Sequence, residues 1–303
     1  DLRAADVGAR AGSRVAEAKG REEGQGRAEK AKRFRMLRSM LDHTGQLEFD
    51  HAAEYALLRR DAEIEAMREA DVVVATNSVA MDTLIVESGP WRQVLQDEAS
   101  QALEPEALIP LVLGCVRVVL VGDHKQLGPV VKTKEAATAR LATSLFERHR
   151  SARQVPHAVL VEQHRMHPAL CEFSSAQFYL GKLTSATGLA ELRRLPPAAG
   201  FPWATAEKPY VVLHTNSPEV QGLHGTFTNG GEAATVVLAV VRLLQDGVLP
   251  EQIKVITPYD GQRALLSEKL QVTQTLSQVA VSSIDAVQGQ EFDYVILSFV
   301  RSN

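Results

Sequence analysis

The chain has 303 residues, long for one domain and comfortable for two, and its 45% hydrophobic and 23% charged content suits a packed core. No apolar run approaches the ~20 residues of a membrane span, the start "DLRAADVGARAGSR" lacks signal-peptide character, and Cys115 and Cys171 fit no zinc or iron–sulfur spacing, so a reduced, intracellular protein is expected. A net charge of −4 decides nothing about nucleic acid, because a mildly acidic protein can still carry a basic groove.

Residues 1–30, rich in Ala, Gly, Arg and Glu, show little periodicity. "AEKAKRFRMLRSMLDH" then sets Phe34, Leu37 and Leu41 at helical spacing. "TGQ" interrupts at 44–46, and "FDHAAEYALLRRDAEIEAMREA" resumes a helix to about residue 70. A helical hairpin over about 31–70 is expected, its basic residues either touching phosphates or forming a solvated face.

The pattern changes at residue 71. "DVVVAT" (71–76), "RQVLQ" (92–96) and "RVVLVG" (117–122) are short β-branched runs, and "EPEALIPLVLG" (104–114) reads as a helix with Pro105 in its first turn and Gly114 past its end. A second set of strands is expected at 157–161, 209–215, 253–258, 279–284 and 293–300, with helices at 231–245 and 261–271. Buried strands alternating with helices predict parallel, doubly wound sheets. Two α/β domains are expected, over 1–153 and 154–303.

Ligands of open parallel sheets bind beyond the carboxyl ends of the strands. "VLQDEAS" delivers Asp97 and Glu98 there, "LVGDHKQ" delivers Asp123 and Gln126, and "VVATNS" delivers Thr76 and Asn77. An acidic pair after an apolar strand is the Walker-B arrangement, in which the first carboxylate holds Mg²⁺ through water and the second activates the attacking water. The same pair also reads as the acidic first turn of a following helix. The amide of Gln126 can bond both a water and a phosphate oxygen, and Gly128 and Pro129 let the backbone turn. In "EQHRMHP" (162–168), Arg165 suits a γ-phosphate approached from outside, or an ordinary surface position; His164 and His167 lack a third metal ligand. In "SSIDAVQGQEFDYVILS", Gly289 makes a tight turn and Glu291 is either an acceptor for ribose hydroxyls or a structural carboxylate.

In their order, "DEASQALEPEALIPLV", "LVGDHKQLGPVV", "SLFERH", "QHRMHPAL", "VITPYDGQR" and "SIDAVQGQEFDYVILSFVRSN" resemble superfamily 1 helicases, and among them the Up-frameshift RNA helicases of nonsense-mediated mRNA decay. "MLDHTGQLEFD" echoes the same family, and "HKQLGP" favours this branch over its relatives. The resemblance spans roughly residues 34–303. It implies two tandem RecA-like domains, the first incomplete at its N-terminus and carrying the hairpin as an insertion, the second truncated at its C-terminus. It also implies ATP and Mg²⁺ bound between them, and 5′-to-3′ movement along single-stranded RNA by a cytoplasmic monomer, with decay-factor proteins as partners.

On matching positions the resemblance makes Asp97 and Glu98 the Mg²⁺ and water-activating pair, Gln126 the γ-phosphate sensor, Arg165 the first arginine finger and Glu291 a nucleotide contact. His164 stands where the family usually has an adenine-stacking Tyr, which implies weaker nucleotide affinity. Thr76, Pro129, Thr257 and Ser283 fall in motifs lining the nucleic-acid channel. The family's P-loop, G-x-x-x-x-G-K-[ST], is expected before residue 1, and the second arginine finger after "VRSN", so the 303 residues alone are expected to hydrolyse ATP poorly. The alternatives are a non-catalytic nucleic-acid-binding protein and a related DNA helicase.

Overall fold

The computed structural model describes residues 26–152, 155–192, 201–203, 208–222 and 225–301. The chain divides into two compact units, Asp1–Arg153 and Gln154–Asn303.

The first unit opens on helix α1 (26–44) and helix α2 (Phe49–Glu69), joined through Gly45 at φ 73°. Their apolar contact is thin: Leu37 and Ile64 are buried, and the Phe34 ring stacks on Tyr55 with centroids 5.3 Å apart. Surface ion pairs, each worth little, line the rest of the seam. The Arg33 guanidinium donates twice to the Glu54 carboxylate, both at 2.7 Å; Lys30 lies 2.7 Å from Asp61; Arg27 reaches Glu65 and Glu69. The pairs run in opposite directions along the two helices, as an antiparallel hairpin requires. Three of the cations that the sequence offered to phosphates are therefore answered by carboxylates of α2.

Helix α3 (Thr83–Ser88) is capped by Asp82, which accepts the Leu84 N–H at 2.9 Å. Strands β1 (Gln93–Gln96) and β2 (Arg117–Leu120) pair in parallel, Gln93 opposite Arg117 and Gln96 opposite Leu120. The crossover between them holds α4 (Glu104–Leu108), a 3₁₀ turn (Ile109–Leu113) and Gly114 at φ 85°. The single helix expected over 104–114 is thus divided. Pro110 has no N–H and its ring crowds the preceding turn, so the α ladder gives way to a tighter one. Helices α5 (Lys134–Thr138) and α6 (Leu145–Ala152) follow, and Arg148 of α6 grips Glu104 with two hydrogen bonds of 2.8 and 2.7 Å.

In the second unit, β3 (Glu162–Gln163) pairs in parallel with β4 (Thr184–Ser185) around α7 (Pro168–Phe178). After α8 (Leu189–Leu192), β5 (Val220–Gln221) and β6 (Phe227–Thr228) make a small antiparallel pair. The main sheet comprises β7 (Ile253–Ile256), β8 (Ala280–Ser282) and β9 (Tyr294–Leu297), all parallel in the order β8-β7-β9. Every residue of the central strand β7 is buried, Lys254 among them, its ammonium 5.0 Å from the centroid of the Phe292 ring. Helices α9 (Gly230–Gln245) and α10 (Asp260–Leu270) bring Val236, Val240, Leu243, Leu266 and Leu270 onto Ile253 and Val255. The helix expected over 231–245 buries this face at amphipathic spacing.

Three expected strands, 71–76, 157–161 and 209–215, carry no ladder. Val72 and Val74 are 75% and 92% exposed, and Leu160 and Val212 are 87% exposed. A β-branched run reports fitness for a pleated surface, and becomes a strand only where a neighbour supplies hydrogen bonds.

A closed polar network joins α9, α10 and the end of β9. Gln262 is fully buried. Its Oε1 accepts the Asn229 N–H (2.8 Å), and its Nε2 donates to the Asn229 carbonyl (3.3 Å) and the Ser298 hydroxyl (3.1 Å). Ser298 donates in turn to Glu232 at 2.8 Å. Gln262→Ala strands these partners without water and should destabilise the second unit by about 1–3 kcal/mol. Urea unfolding followed by Trp203 fluorescence, in a Trp91→Phe background, should show a lower midpoint; an unchanged midpoint would refute the account.

Candidate functional site

In the first unit the parallel ladder runs past the formal strand ends. The Val121 N–H donates to the Gln96 carbonyl (2.9 Å), and the Ala99 N–H to the Val121 carbonyl (2.8 Å). This overrun sets loop 97–101 beside loop 122–126. Gly122 sits so close that a Cβ there would lie 2.9 Å from the Ser100 nitrogen. The Asp123 N–H donates to the Ser100 hydroxyl at 3.2 Å, which ties the loops together.

Within loop 97–101, Glu98 adopts φ 51°, an uncommon conformation for a residue with a side chain, which costs on the order of 1 kcal/mol. The Asp97 carboxylate steadies it by accepting the Glu98 N–H at 2.9 Å, and the Glu98 carboxylate accepts from the Gln101 amide at 2.8 Å. Asp97 is exposed and Glu98 half-buried. In the facing loop, the Asp123 carboxylate accepts the Lys125 N–H (2.9 Å) and the Gln126 side-chain amide (3.1 Å), so Gln126 is oriented from beneath. Burial, with the cations of Arg150 and Lys125 nearby, pushes the His124 imidazole below its ordinary pKa and keeps it neutral at pH 7. The structure thus brings Asp97, Glu98 and Gln126 to one edge of one sheet. Thr76 lies near it: its hydroxyl accepts the Val79 N–H (3.4 Å), and the neighbouring Asn77 accepts from Gln96 at the end of β1 (3.2 Å). Pro129 is buried.

In the second unit the loop after β3 is built by Gln163. Its side-chain oxygen accepts the N–H groups of Arg165 (2.9 Å) and Met166 (2.8 Å), and its amide donates to the Met166 carbonyl and the Ser185 hydroxyl, both at 2.7 Å. His167 is buried and caps α7 by accepting the Ala169 N–H at Nδ1 (3.1 Å), a structural task. His164 is exposed, its Nε2 3.2 Å from the Glu162 carboxylate. The Arg165 Nε donates to Glu291 at 2.9 Å, with the side chains 57% and 63% exposed. Such an exposed pair is weak and exchangeable. Thr257 is 1% exposed, donates its N–H to the Ser282 carbonyl and receives the Tyr259 N–H at its hydroxyl (3.5 Å); Ser283 is half-buried.

Among the described residues no three or more His, Cys, Asp or Glu converge as a metal cage. Mg²⁺ does not require one: it keeps most of its waters and takes one or two carboxylates plus substrate phosphates, which suits the exposed, strand-end carboxylate of Asp97. Sequence reasoning missed Gly122, Ser100 and Gln163. A glycine ending a β-branched run, and a glutamine two residues before an arginine, were the available signals.

Residues 141–303 and residues 6–134 each match an AAA domain. The chain belongs to this AAA-domain family. It is 43% identical over 273 residues to the regulator of nonsense transcripts 1 homolog of Arabidopsis thaliana, covering 88% of this chain and 22% of the relative. It is 44% identical over 266 residues to the homolog from Neurospora crassa (86% and 24%). With the ATP-dependent helicase NAM7 of Saccharomyces cerevisiae it shares 42% over 273 residues (88% and 28%). The chain spans about a quarter of the length of these curated relatives. Among the described residues, no helix is long and apolar enough to cross a membrane.

The lock between the two loops is testable apart from any chemistry. Gly122→Ala forces a Cβ onto backbone that cannot yield, and should destabilise the first unit by about 1–3 kcal/mol. Hydrogen exchange at residues 97–101 should accelerate; protection equal to wild type would overturn the packing argument.

Proposed function

We propose that this chain is part of the core of an ATP-dependent RNA helicase of nonsense-mediated mRNA decay. The observation that carries the reading is the hydrogen-bonded coupling of loop 97–101 to loop 122–126 at the carboxyl edge of β1 and β2. It holds an acidic pair and an oriented amide together, where parallel sheets bind ligands.

In this reading the Glu98 carboxylate accepts the proton of the attacking water, and the Gln126 amide orients that water toward the γ-phosphate. Asp97 would hold Mg²⁺ through water, and the ion would supply positive charge toward the phosphoryl oxygens. Arg165 offers a planar cation to phosphoryl charge, Glu291 accepts from ribose hydroxyls, and His164 offers a flat face to the base. The Arg165–Glu291 pair opens readily as each side chain takes its ligand. Thr76 and Ser283 offer hydroxyls to a single strand, while the buried Pro129 and Thr257 shape the surface from beneath. The two RecA-like domains would be 1–153 and 154–303, with the α1–α2 hairpin as an insertion in the first. The protein would act as a cytoplasmic monomer, moving 5′-to-3′ on single-stranded RNA together with decay-factor proteins.

Glu98→Gln in the full-length protein should lower RNA-stimulated ATP hydrolysis by at least ~100-fold while leaving RNA affinity intact. Turnover near wild type would remove Glu98 from the chemistry. Glu291→Gln should raise KM for ATP with little change in kcat, the signature of lost ground-state binding. A fall in kcat at constant KM would contradict the assigned role.

A further inference from the structure

The end of β9 contains a backbone feature that the nucleotide chemistry does not use. Val300 is a buried, β-branched residue at φ 67°. The Arg301 N–H donates to the Phe299 carbonyl at 2.7 Å, closing a three-residue turn on Val300, and the positive-φ form of that turn is the rare and strained one. Strain of this kind persists only where the surroundings over-determine it. Here they do. The Val300 N–H donates to both oxygens of Glu232 (3.1 and 3.0 Å), and its carbonyl accepts the Asn229 amide at 3.2 Å. The buried network around Gln262 thus grips both sides of one residue.

The residue presented by this turn is Arg301. Its guanidinium lies over the face of Phe227, 4.4 Å from the ring centroid, and Phe227 is braced edge-on by Tyr259 at 5.6 Å. Glu219 takes the Arg301 Nε at 3.0 Å. One face of the guanidinium is covered by the ring, while the side chain remains 44% exposed. The position is the carboxyl edge of the parallel sheet, the edge at which Thr257 and Tyr259 follow β7.

We propose that the Arg301–Phe227 stack is a base-stacking platform for single-stranded RNA, held in place by the strained Val300 turn. The inference rests on the helicase reading above and gives a role to Arg301, to which the resemblance assigned none. Glu219, its side chain only 20% exposed, holds the Arg301 Nε more firmly than the exposed Glu291 holds Arg165, and Phe227 covers one face; what Arg301 offers is a flat, cationic surface, and guanidinium planes stack on unpaired bases. Such a contact tolerates any base, since every base has a π-face.

Phosphate contact and stacking separate cleanly in the full-length protein, with oligouridylate and its abasic counterpart as probes. Arg301→Ala should weaken oligouridylate binding about tenfold, and Arg301→Lys, which keeps the charge and loses the plane, should weaken it nearly as much. The salt slope of log K should stay at the wild-type value, because no phosphate counterion is involved. Wild type and both variants should bind the abasic strand equally. Wild-type affinity for oligouridylate in the Arg301→Lys variant, or a slope smaller by about 1 in Arg301→Ala, would make Arg301 a phosphate contact and overturn the platform. Variants that match wild type on every strand would remove Arg301 from RNA binding and leave the helicase reading standing. Failure of the wild type to hold either strand would bring down both.

Discussion

Strands that run the same way all end at the same edge. This constraint organises both units. In the first, the ladder between β1 and β2 overruns the strands until Ala99 is paired with Val121, and that overrun sets Asp97 and Glu98 against the loop that carries Gln126. In the second, β7, β8 and β9 share one direction, so Thr257, Ser283 and Arg301 emerge together although their strands are far apart in sequence. The candidate groups are thereby placed by backbone hydrogen bonds and by close approach at Gly122, more than by contacts among themselves.

Where a loop must hold an unusual conformation, a side-chain carboxylate or amide stands in for the missing backbone partner. Asp97 does this for Glu98, Asp123 for Lys125, Gln163 for Arg165 and Met166, and Glu232 for Val300. Each of these acceptors satisfies donors that a regular strand or helix would have satisfied internally. The pattern explains why so many polar residues follow apolar runs in this sequence. Some are free to face ligands; others face the loop itself.

That dual use marks the limit of what could be read without coordinates. The β-branched runs at 92–96, 117–120 and 253–256 and the amphipathic spacing of 231–245 were legible, because burial on a pleat or along a helix imposes a period. The runs at 71–76, 157–161 and 209–215 carry the same signal without a partner strand, and period cannot tell the two apart. Pro110 was visible, yet its effect depended on how many turns followed it. Gly122 and Gln163 were invisible as positioning residues because their significance lies in what packs against them. Asp97, Glu98, Gln126, Arg165 and Glu291 acquired roles through family resemblance, and the coordinates supply their surroundings: a strained turn for Glu98, a carboxylate under Gln126, a loose partner for Arg165.

The α1–α2 hairpin has a bearing on how the first unit assembles. Its ion pairs, Arg33–Glu54, Lys30–Asp61 and Arg27–Glu69, lie 21, 31 and 42 residues apart and follow one another outward from a single turn at Gly45, so each closes a loop that the one before has already shortened. The β1–β2 pair must instead wait for the whole crossover from Asp97 to Val116 to fold back on itself. The hairpin thus depends on one turn, whereas the parallel pair and its strand-end loops depend on a whole crossover. The edge that carries Asp97, Glu98 and Gln126 is therefore the part of the unit whose geometry a faulty crossover would spoil first.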